Sequence, residues 1–166
     1  MFLEMERRGY MRKKKIKTTA NYKTKVCKWK WLWLSFFIVL MDFFSKYLAV
    51  KFLSFGRPVP VFSGFNFLIT HNKGAAFSFL ATQGGWQYWL FVAISLIVSI
   101  GILIWIKFMH SSQAWGLFGL SLILAGALGN GLNRLFYGYV IDFIDIYVSK
   151  YHWPTFNIAD IAICVG

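Results

Sequence analysis

The chain is 166 residues long, 58% apolar and 20% aromatic, with only 14% charged side chains and a formal net charge of +12. That composition excludes an ordinary water-soluble domain and describes one membrane-embedded unit. The positive charge does not describe a nucleic-acid surface either, because eleven of the eighteen Lys and Arg side chains lie between Arg7 and Lys30, ahead of the first apolar run. A basic stretch beside a span acts as a cytoplasmic orientation signal and touches anionic lipid. Residues 1–30 are therefore expected to be a disordered cytoplasmic tail, and residues 31–166 a single transmembrane domain.

The first apolar run, Trp31 to Phe52, is long enough to cross roughly 30 Å of hydrocarbon. It carries Asp42 and Lys46, spaced i, i+4 on one helix face, where they neutralise each other or bind polar groups from neighbouring helices as a structural pair, or take part in proton chemistry. These charges, the length of the run and the lack of a small-residue cleavage pattern argue against a removable signal peptide, so the segment is expected to remain as an anchor. Next come two short β-rich runs, Pro58 to Phe62 and Phe65 to Thr70, separated by Ser63-Gly64, which predict a hairpin. Asn72-Lys73-Gly74 follows as a turn, structural or substrate-binding. Ala75 to Leu80 reads as a short interfacial helix or loop, and Gly84-Gly85 leads back into the bilayer.

Tyr88 to Met109 and Gly116 to Phe136 predict the second and third spans. All eight tryptophans, Trp29, Trp31, Trp33, Trp86, Trp89, Trp105, Trp115 and Trp153, fall near proposed span ends, as interfacial aromatic belts do. The positive-inside bias puts the tail and the turn around Lys107 to Trp115 in the cytoplasm, and residues 53–87 and 137–156 outside. In the third span Gly126 and Gly129 permit close helix packing, while Asn130 and Arg134 share a face. An arginine at a span end can simply snorkel to the headgroups, but the company of Asn130, Asn133 and Asp142 favours an organised polar site. Pro154 to Asp160 then resembles a helix start, with Asn157 as N-cap and Asp160 three residues on. From Asn157 to Gly166 is only about 15 Å of helix, so the chain is expected to stop inside a fourth span.

Only six acidic residues occur in the chain, and a carboxylate at membrane depth is a functional-site hypothesis by default. Asp142 and Asp160, at the edges of apolar stretches, form a candidate aspartyl dyad. At a helix N-terminus Asp160 favours the ionised form, which leaves Asp142 to carry the proton. Asp145 is equally acidic but is expected in a solvated or structural role. Cys27 and Cys164 fall on different sides of the bilayer's depth, so no disulfide is expected. His71, His110 and His152 show no ligand spacing, and no metal is expected. Two other classes remain: a small proton-coupled transporter or channel subunit, disfavoured because internal repeats and interrupted midplane helices are missing, and a non-catalytic membrane scaffold, which would tolerate loss of both aspartates.

From Trp31 onward the sequence resembles lipoprotein signal peptidase, or signal peptidase II, the bacterial membrane aspartyl protease family. The likeness is carried by Asp42-Phe43-Phe44-Ser45-Lys46, Asn72-Lys73-Gly74-Ala75-Ala76-Phe77-Ser78, Gly126-Ala127-Leu128-Gly129-Asn130 with Arg134, Val140-Ile141-Asp142-Phe143 and Phe156-Asn157-Ile158-Ala159-Asp160. The resemblance implies an all-α polytopic membrane protein of four transmembrane helices, the fourth truncated, with a small extracytoplasmic β-hairpin or β-cradle. It implies that Asp142 and Asp160 are catalytic, that Asn72, Gly74, Asn130, Arg134 and Asn157 bind or position substrate, and that Asp42 and Lys46 support the site. It further implies a monomer in the bacterial inner membrane that uses no metal or organic cofactor. Its substrates would be prolipoproteins, cut on the outer side before a diacylglyceryl-modified cysteine, and its inhibitor globomycin. One position departs from the family pattern: Asn133 stands where aspartate is usual, which removes a charge available to Arg134.

Overall fold

In the computed structural model, which describes residues 27–74 and 85–166, the long apolar runs become three helices: α1, Trp31–Phe52; α2, Trp86–Phe108; and α3, Ala114–Tyr137. Each is long and apolar enough to cross a membrane. Their bounds agree with the expected spans to within two residues. A fourth helix, α4, covers Ile158–Val165 and has eight residues. Residues 1–26 of the basic tail and the segment Ala75 to Leu80 lie outside the described residues.

Helices α1 and α2 turn large apolar side chains outward, among them Phe37, Met41 and Phe44 on α1 and Leu96, Ile97 and Ile104 on α2. On a soluble protein such a surface would be an aggregation liability; around a bundle in lipid it is the solvated face. Trp33, Trp86, Trp89, Trp105 and Trp115 are exposed at or close to helix ends, as an interfacial belt requires. At one end of the bundle Lys28 Nζ donates to the carbonyls of Lys107 and Met109, the first shared at short range. A cation on the last carbonyls of α2 satisfies groups the helix leaves open and complements its dipole, and ties the start of α1 to the α2–α3 turn.

The buried centre is α3, which packs against α1, α2 and α4. Its buried face is rich in small residues, Ser121, Ala125, Gly126, Ala127, Gly129 and Gly131, beside Leu117, Leu122 and Leu124, because lipid supplies no hydrophobic drive between helices and close approach must supply the packing energy. A Cβ on Gly126 would lie 2.3 Å from the Ala159 carbonyl oxygen, and one on Gly129 would lie 2.9 Å from Asp42 Oδ2. These two glycines let α4 and the α1 carboxylate reach the α3 backbone. Farther along, Ser35 Oγ donates to the Ser121 carbonyl at 2.7 Å, fastening α1 to α3.

The predicted hairpin forms from β1, Val59–Phe62, and β2, Phe65–Asn72, with Gly64 at φ +92° in the turn. It belongs to a larger sheet than the hairpin alone. Residues 137–156, expected outside the membrane with no strand assigned, contain β3, Val140–Val148, and the short β4, Tyr151–His152, and the antiparallel order is β1-β2-β3-β4. Gly138, at φ +79°, ends α3 and turns the chain into β3. The segment before α4 joins the same sheet, since Phe156 exchanges backbone hydrogen bonds with Ile144 at 2.9 and 3.1 Å.

Register decides which acid faces which way. Asp142 and Asp145 differ by an odd number along β3 and so point to opposite faces. Across the ladder Asp142 pairs with Thr70 and Asp145 with Asn66, a mismatch absorbed by a bulge in β2 between Phe67 and Thr70.

The glycine seam gives a direct test of the packing. Gly126→Val should destabilise the protein by about 1–3 kcal/mol, read by thermal unfolding in detergent, whereas Gly101→Val on α2, where nothing lies within 4 Å of an added Cβ, should be close to neutral. Equal effects at both positions would contradict the seam.

Candidate active site

Asp160 is placed by the local chemistry of a helix start. Asn157 is the N-cap of α4: its Oδ1 accepts from the Asp160 backbone N–H at 3.0 Å, while Asp160 Oδ2 accepts from the Asn157 backbone N–H at 3.1 Å. This reciprocal capping box satisfies two donors that a helix leaves open. The other oxygen, Asp160 Oδ1, accepts from Asn130 Nδ2 at 2.7 Å. The capping reading of Asp160 therefore holds, and the same bonds fix its carboxylate at the head of α4.

Asp142 arrives from β3, and the same Asn157 meets it. Asn157 Nδ2 donates to Asp142 Oδ1 at 2.6 Å, and Asn72 Nδ2, from the end of β2, donates to Asp142 Oδ2 at 3.1 Å. Asn157 is fully buried and Asp142 is 1% exposed. One asparagine thus holds both carboxyl groups, its backbone N–H on Asp160 and its side-chain amide on Asp142. The bond between Thr70 and Thr155 hydroxyls, 2.5 Å apart, ties β2 to the same segment two residues before Asn157.

Asn130 is the hub on α3. Its Oδ1 accepts from Lys46 Nζ at 3.2 Å and from Asn157 Nδ2 at 3.3 Å, while its Nδ2 holds Asp160. Lys46 in turn is paired with Asp42 at 2.7 Å, both almost fully buried. The second oxygen of Asp42 accepts the Ala159 backbone N–H at 3.0 Å, another open donor of the first turn of α4. Asp42 and Lys46 therefore do more than neutralise each other: the pair joins α1 to α4 and, through Asn130, to the acids.

Arg134 lies one turn beyond Asn130 on α3, and its Nη2 donates to the Gly74 carbonyl at 2.8 Å. The Gly74 N–H donates to Asn72 Oδ1 at 3.0 Å, a local side-chain turn that asparagine favours. The chain of contacts from Arg134 through Gly74 and Asn72 ends on Asp142. The guanidinium also sits 5.0 Å from the centre of the Phe91 ring. Asn133 bonds to the sheet. Its Oδ1 accepts the Ile141 N–H at 3.3 Å, so the position anchors the start of β3, and its amide is not a substitute for a charge beside Arg134.

Asp145 lies outside the cluster. It is 1% exposed, which rules out the solvated role, and it accepts from Asn66 Nδ2 at 2.8 Å while pairing with His152 Nδ1 at 2.8 Å. Its work is to join β2, β3 and β4. Two contributors were not visible as site residues in the sequence. Thr70 was assigned only to a hairpin strand, and β3 was not assigned at all, although the β-branched and aromatic run Val140-Ile141-Asp142-Phe143-Ile144-Asp145-Ile146-Tyr147-Val148 carries a strand signal.

Burial first, and the charge of Asp160 second, push the Asp142 carboxyl up to about 7, partly opposed by the amides of Asn157 and Asn72. Two carboxyl groups whose charges act on each other in a buried setting do not readily both ionise. One acid and one base side by side can activate a water and polarise a carbonyl together. Among the described residues no three His, Cys, Asp or Glu side chains converge as a metal cage would need.

A family model described as Signal peptidase (SPase) II matches residues 34–166. The chain is 51% identical over 138 residues to a protein of Coxiella burnetii (strain RSA 493 / Nine Mile phase I) named lipoprotein signal peptidase, covering 83% of this chain and 85% of that protein. A protein of the same name from Cupriavidus taiwanensis is 48% identical over 137 residues, covering 81% and 77%. A solved structure described as a bacterial membrane enzyme determined by the in meso method superposes with a TM-score of 0.72 at 30% identity, covering 82% of this chain and 81% of that one.

The buried pair under the site predicts a non-additive pattern. Lys46→Met leaves Asp42 as an uncompensated buried charge and should cost about 3–5 kcal/mol. Adding Asp42→Asn, which keeps the oxygen that holds the Ala159 N–H, should recover much of that loss. Unfolding midpoints of the two single variants and the double variant in detergent measure it; simple additivity would show the pair is not coupled.

Proposed function

The chain belongs to the signal peptidase II family and is a membrane aspartyl peptidase that processes lipoprotein signal peptides, and from that premise we propose that Asp142 and Asp160 are its catalytic pair. The observation that carries this assignment is the grip of Asn157 on both: one buried residue, on the short segment between the sheet and α4, hydrogen-bonds each of the two acids. Of the acids in the described residues, Asp42 is neutralised by Lys46 and Asp145 is locked into the sheet with Asn66 and His152.

In the reaction the ionised Asp160 takes a proton from water as its oxygen attacks the scissile carbonyl, and Asp142 gives its proton to the carbonyl oxygen. The tetrahedral intermediate then collapses: Asp142 recovers a proton from the intermediate's hydroxyl, and Asp160 passes its proton to the leaving amine. Asn72, Asn130 and Asn157 hold the carboxyl groups in place. Arg134 fixes Gly74 and with it the loop that carries Asn72, so that Asn72, Gly74, Asn130, Arg134 and Asn157 form the substrate-positioning frame. All these groups come from one copy of the chain, so a monomer suffices.

The substrate we propose is a prolipoprotein cut before a cysteine that carries diacylglyceryl. Acyl chains hold such a cysteine at the bilayer interface, each buried CH₂ contributing about 0.8 kcal/mol, and the acids stand where α3 and α4 meet the sheet, at an end of the bundle. The opposite end carries Lys28 on the α2–α3 turn, and the sequence before it is strongly basic. That distribution supports a cytoplasmic N-terminus and an active site at the outer face of the inner membrane. Basic residues next to the first span then face the anionic headgroups of the inner leaflet.

Cleavage of a prolipoprotein by the purified protein in lipid tests the assignment. Asp142→Asn and Asp160→Asn should each lower the rate by about 10³-fold, while Asp145→Asn should keep cleavage and lose stability; cleavage surviving either dyad substitution would end the aspartyl reading. The pH profile supplies a second check. Asp142 must hold its proton to act as the acid, and it loses that proton as pH rises through about 7. The rate should therefore fall by about tenfold for each pH unit beyond that point, and a rate still rising at pH 9 would assign the proton elsewhere.

A further inference from the structure

Beside the dyad lies a cavity of about 550 Å³ whose walls include Lys73, Gln87, Tyr88, Tyr137 and Tyr139. It adjoins the acids through the chain itself. Lys73 stands between Asn72, which holds Asp142, and Gly74, which is held by Arg134. Tyr139 immediately precedes Val140, the β3 residue paired with Asn72. The Tyr88 hydroxyl donates to the Leu135 carbonyl at 3.3 Å, so α2 and α3 meet at its rim.

Two polar atoms in or near it have no work in the catalytic frame. Gln87 is 7% exposed and lines the cavity, yet its Oε1 is buried with no hydrogen-bond partner among the described residues; the Nε of Arg134, outside the cavity lining, is buried and unpartnered in the same way. Gln87 and Phe91 are one turn apart on α2, and the Arg134 guanidinium lies over the Phe91 ring, so the Arg134 orphan lies one helical turn from the cavity-lining Gln87. A buried polar group without a partner is costly and rare in a folded protein. One orphan is an acceptor and the other a donor. A peptide group supplies the complement of each, an N–H for Gln87 and a C=O for Arg134, and the Lys73 ammonium can meet a further carbonyl at the mouth.

We propose that Gln87, with Arg134 Nε, forms a subsite that binds a backbone peptide group of the substrate next to the scissile bond. The inference rests on the reading of this chain as a peptidase and adds to it a binding residue on α2, a helix that contributes no side chain to the dyad. A backbone subsite accepts any side chain, so it serves substrates that differ in sequence while holding their main chain in one register. Gln87 positions the peptide and is not a catalytic residue, so its loss acts on binding.

The test uses the full chain in lipid with a prolipoprotein substrate. Gln87→Leu removes the acceptor while keeping bulk, and because it also removes an unpaired buried oxygen it should leave the unfolding midpoint unchanged or higher. KM should rise by about tenfold with kcat within about twofold. Gln87→Glu keeps an acceptor oxygen and should bring KM back toward the unsubstituted value. A KM unmoved by Gln87→Leu, or an effect confined to kcat, would overturn the subsite. These outcomes are separate from the peptidase reading, which fails only if the unsubstituted protein does not cleave or if Asp142→Asn still does.

Discussion

Everything in this molecule depends on one rule of the hydrocarbon phase: a polar group placed there must find its partners inside the protein. The buried Asp42–Lys46 pair is the point from which the rule propagates. Each charge keeps a bonding capacity beyond the other, and each uses it on a different helix. Asp42 spends its second oxygen on the Ala159 N–H at the head of α4, and Lys46 spends another proton on Asn130 in α3. Three helices are thereby tied together by groups that would be expensive to leave alone. The amide of Asn130, held by Lys46, is in turn oriented to donate to Asp160. An ion pair that is inert when counted as a charge balance is thus the foundation on which the Asp160 carboxylate is aimed.

That network can close only because α3 offers its backbone at very short range. Gly126 and Gly129 leave no room for side chains between α3 and the first turn of α4 or the Asp42 carboxylate. A longer separation would leave the Asn130 and Lys46 side chains to reach across a gap, with the amide free to turn. Small residues in a membrane helix are often explained by van der Waals packing alone. Here they also set the length of the hydrogen bonds that pass through the site.

The sequence was most legible where a single physical signal ruled. Length and hydropathy placed α1 to within a residue and α2 and α3 to within two, because lipid demands continuous apolar runs and punishes interruptions. The N-cap pattern from Asn157 to Asp160 was equally readable, since it depends on four consecutive residues. Asn72, Asn130 and Arg134 were singled out as candidates through the family resemblance, and the structure brings them into one hydrogen-bonded cluster. What could not be read was their wiring. That Asn157 grips both acids depends on Phe156 pairing with Ile144, a contact no local pattern announces. Strand β3 was missed for a related reason. It is buried for most of its length, so it lacks the alternation of a half-exposed strand, and its two aspartates drew attention to chemistry before conformation. The bulge in β2, which lets Thr70 pair with Asp142 and Asn66 with Asp145, is a tertiary feature without a residue signature.

The two acids are chemically alike, and their difference in setting follows from the elements that carry them. Asp160 sits on the first turn of a helix with both oxygens accepting N–H donors, one of them a backbone group of its own cap, so its carboxyl group is held in one orientation. Asp142 sits on a strand within the sheet, almost without exposure, and burial together with the charge of its neighbour keeps its proton on to about 7. The unfolded chain gives up that proton near 4. Between those values the native state binds a proton that the unfolded state has lost, so its stability falls as pH rises, by on the order of 4 kcal/mol in all. A protein selected for stability alone would replace Asp142 with an uncharged residue. The asparagine frame, the capping box and the Asp42–Lys46 anchor are what allow the fold to keep it.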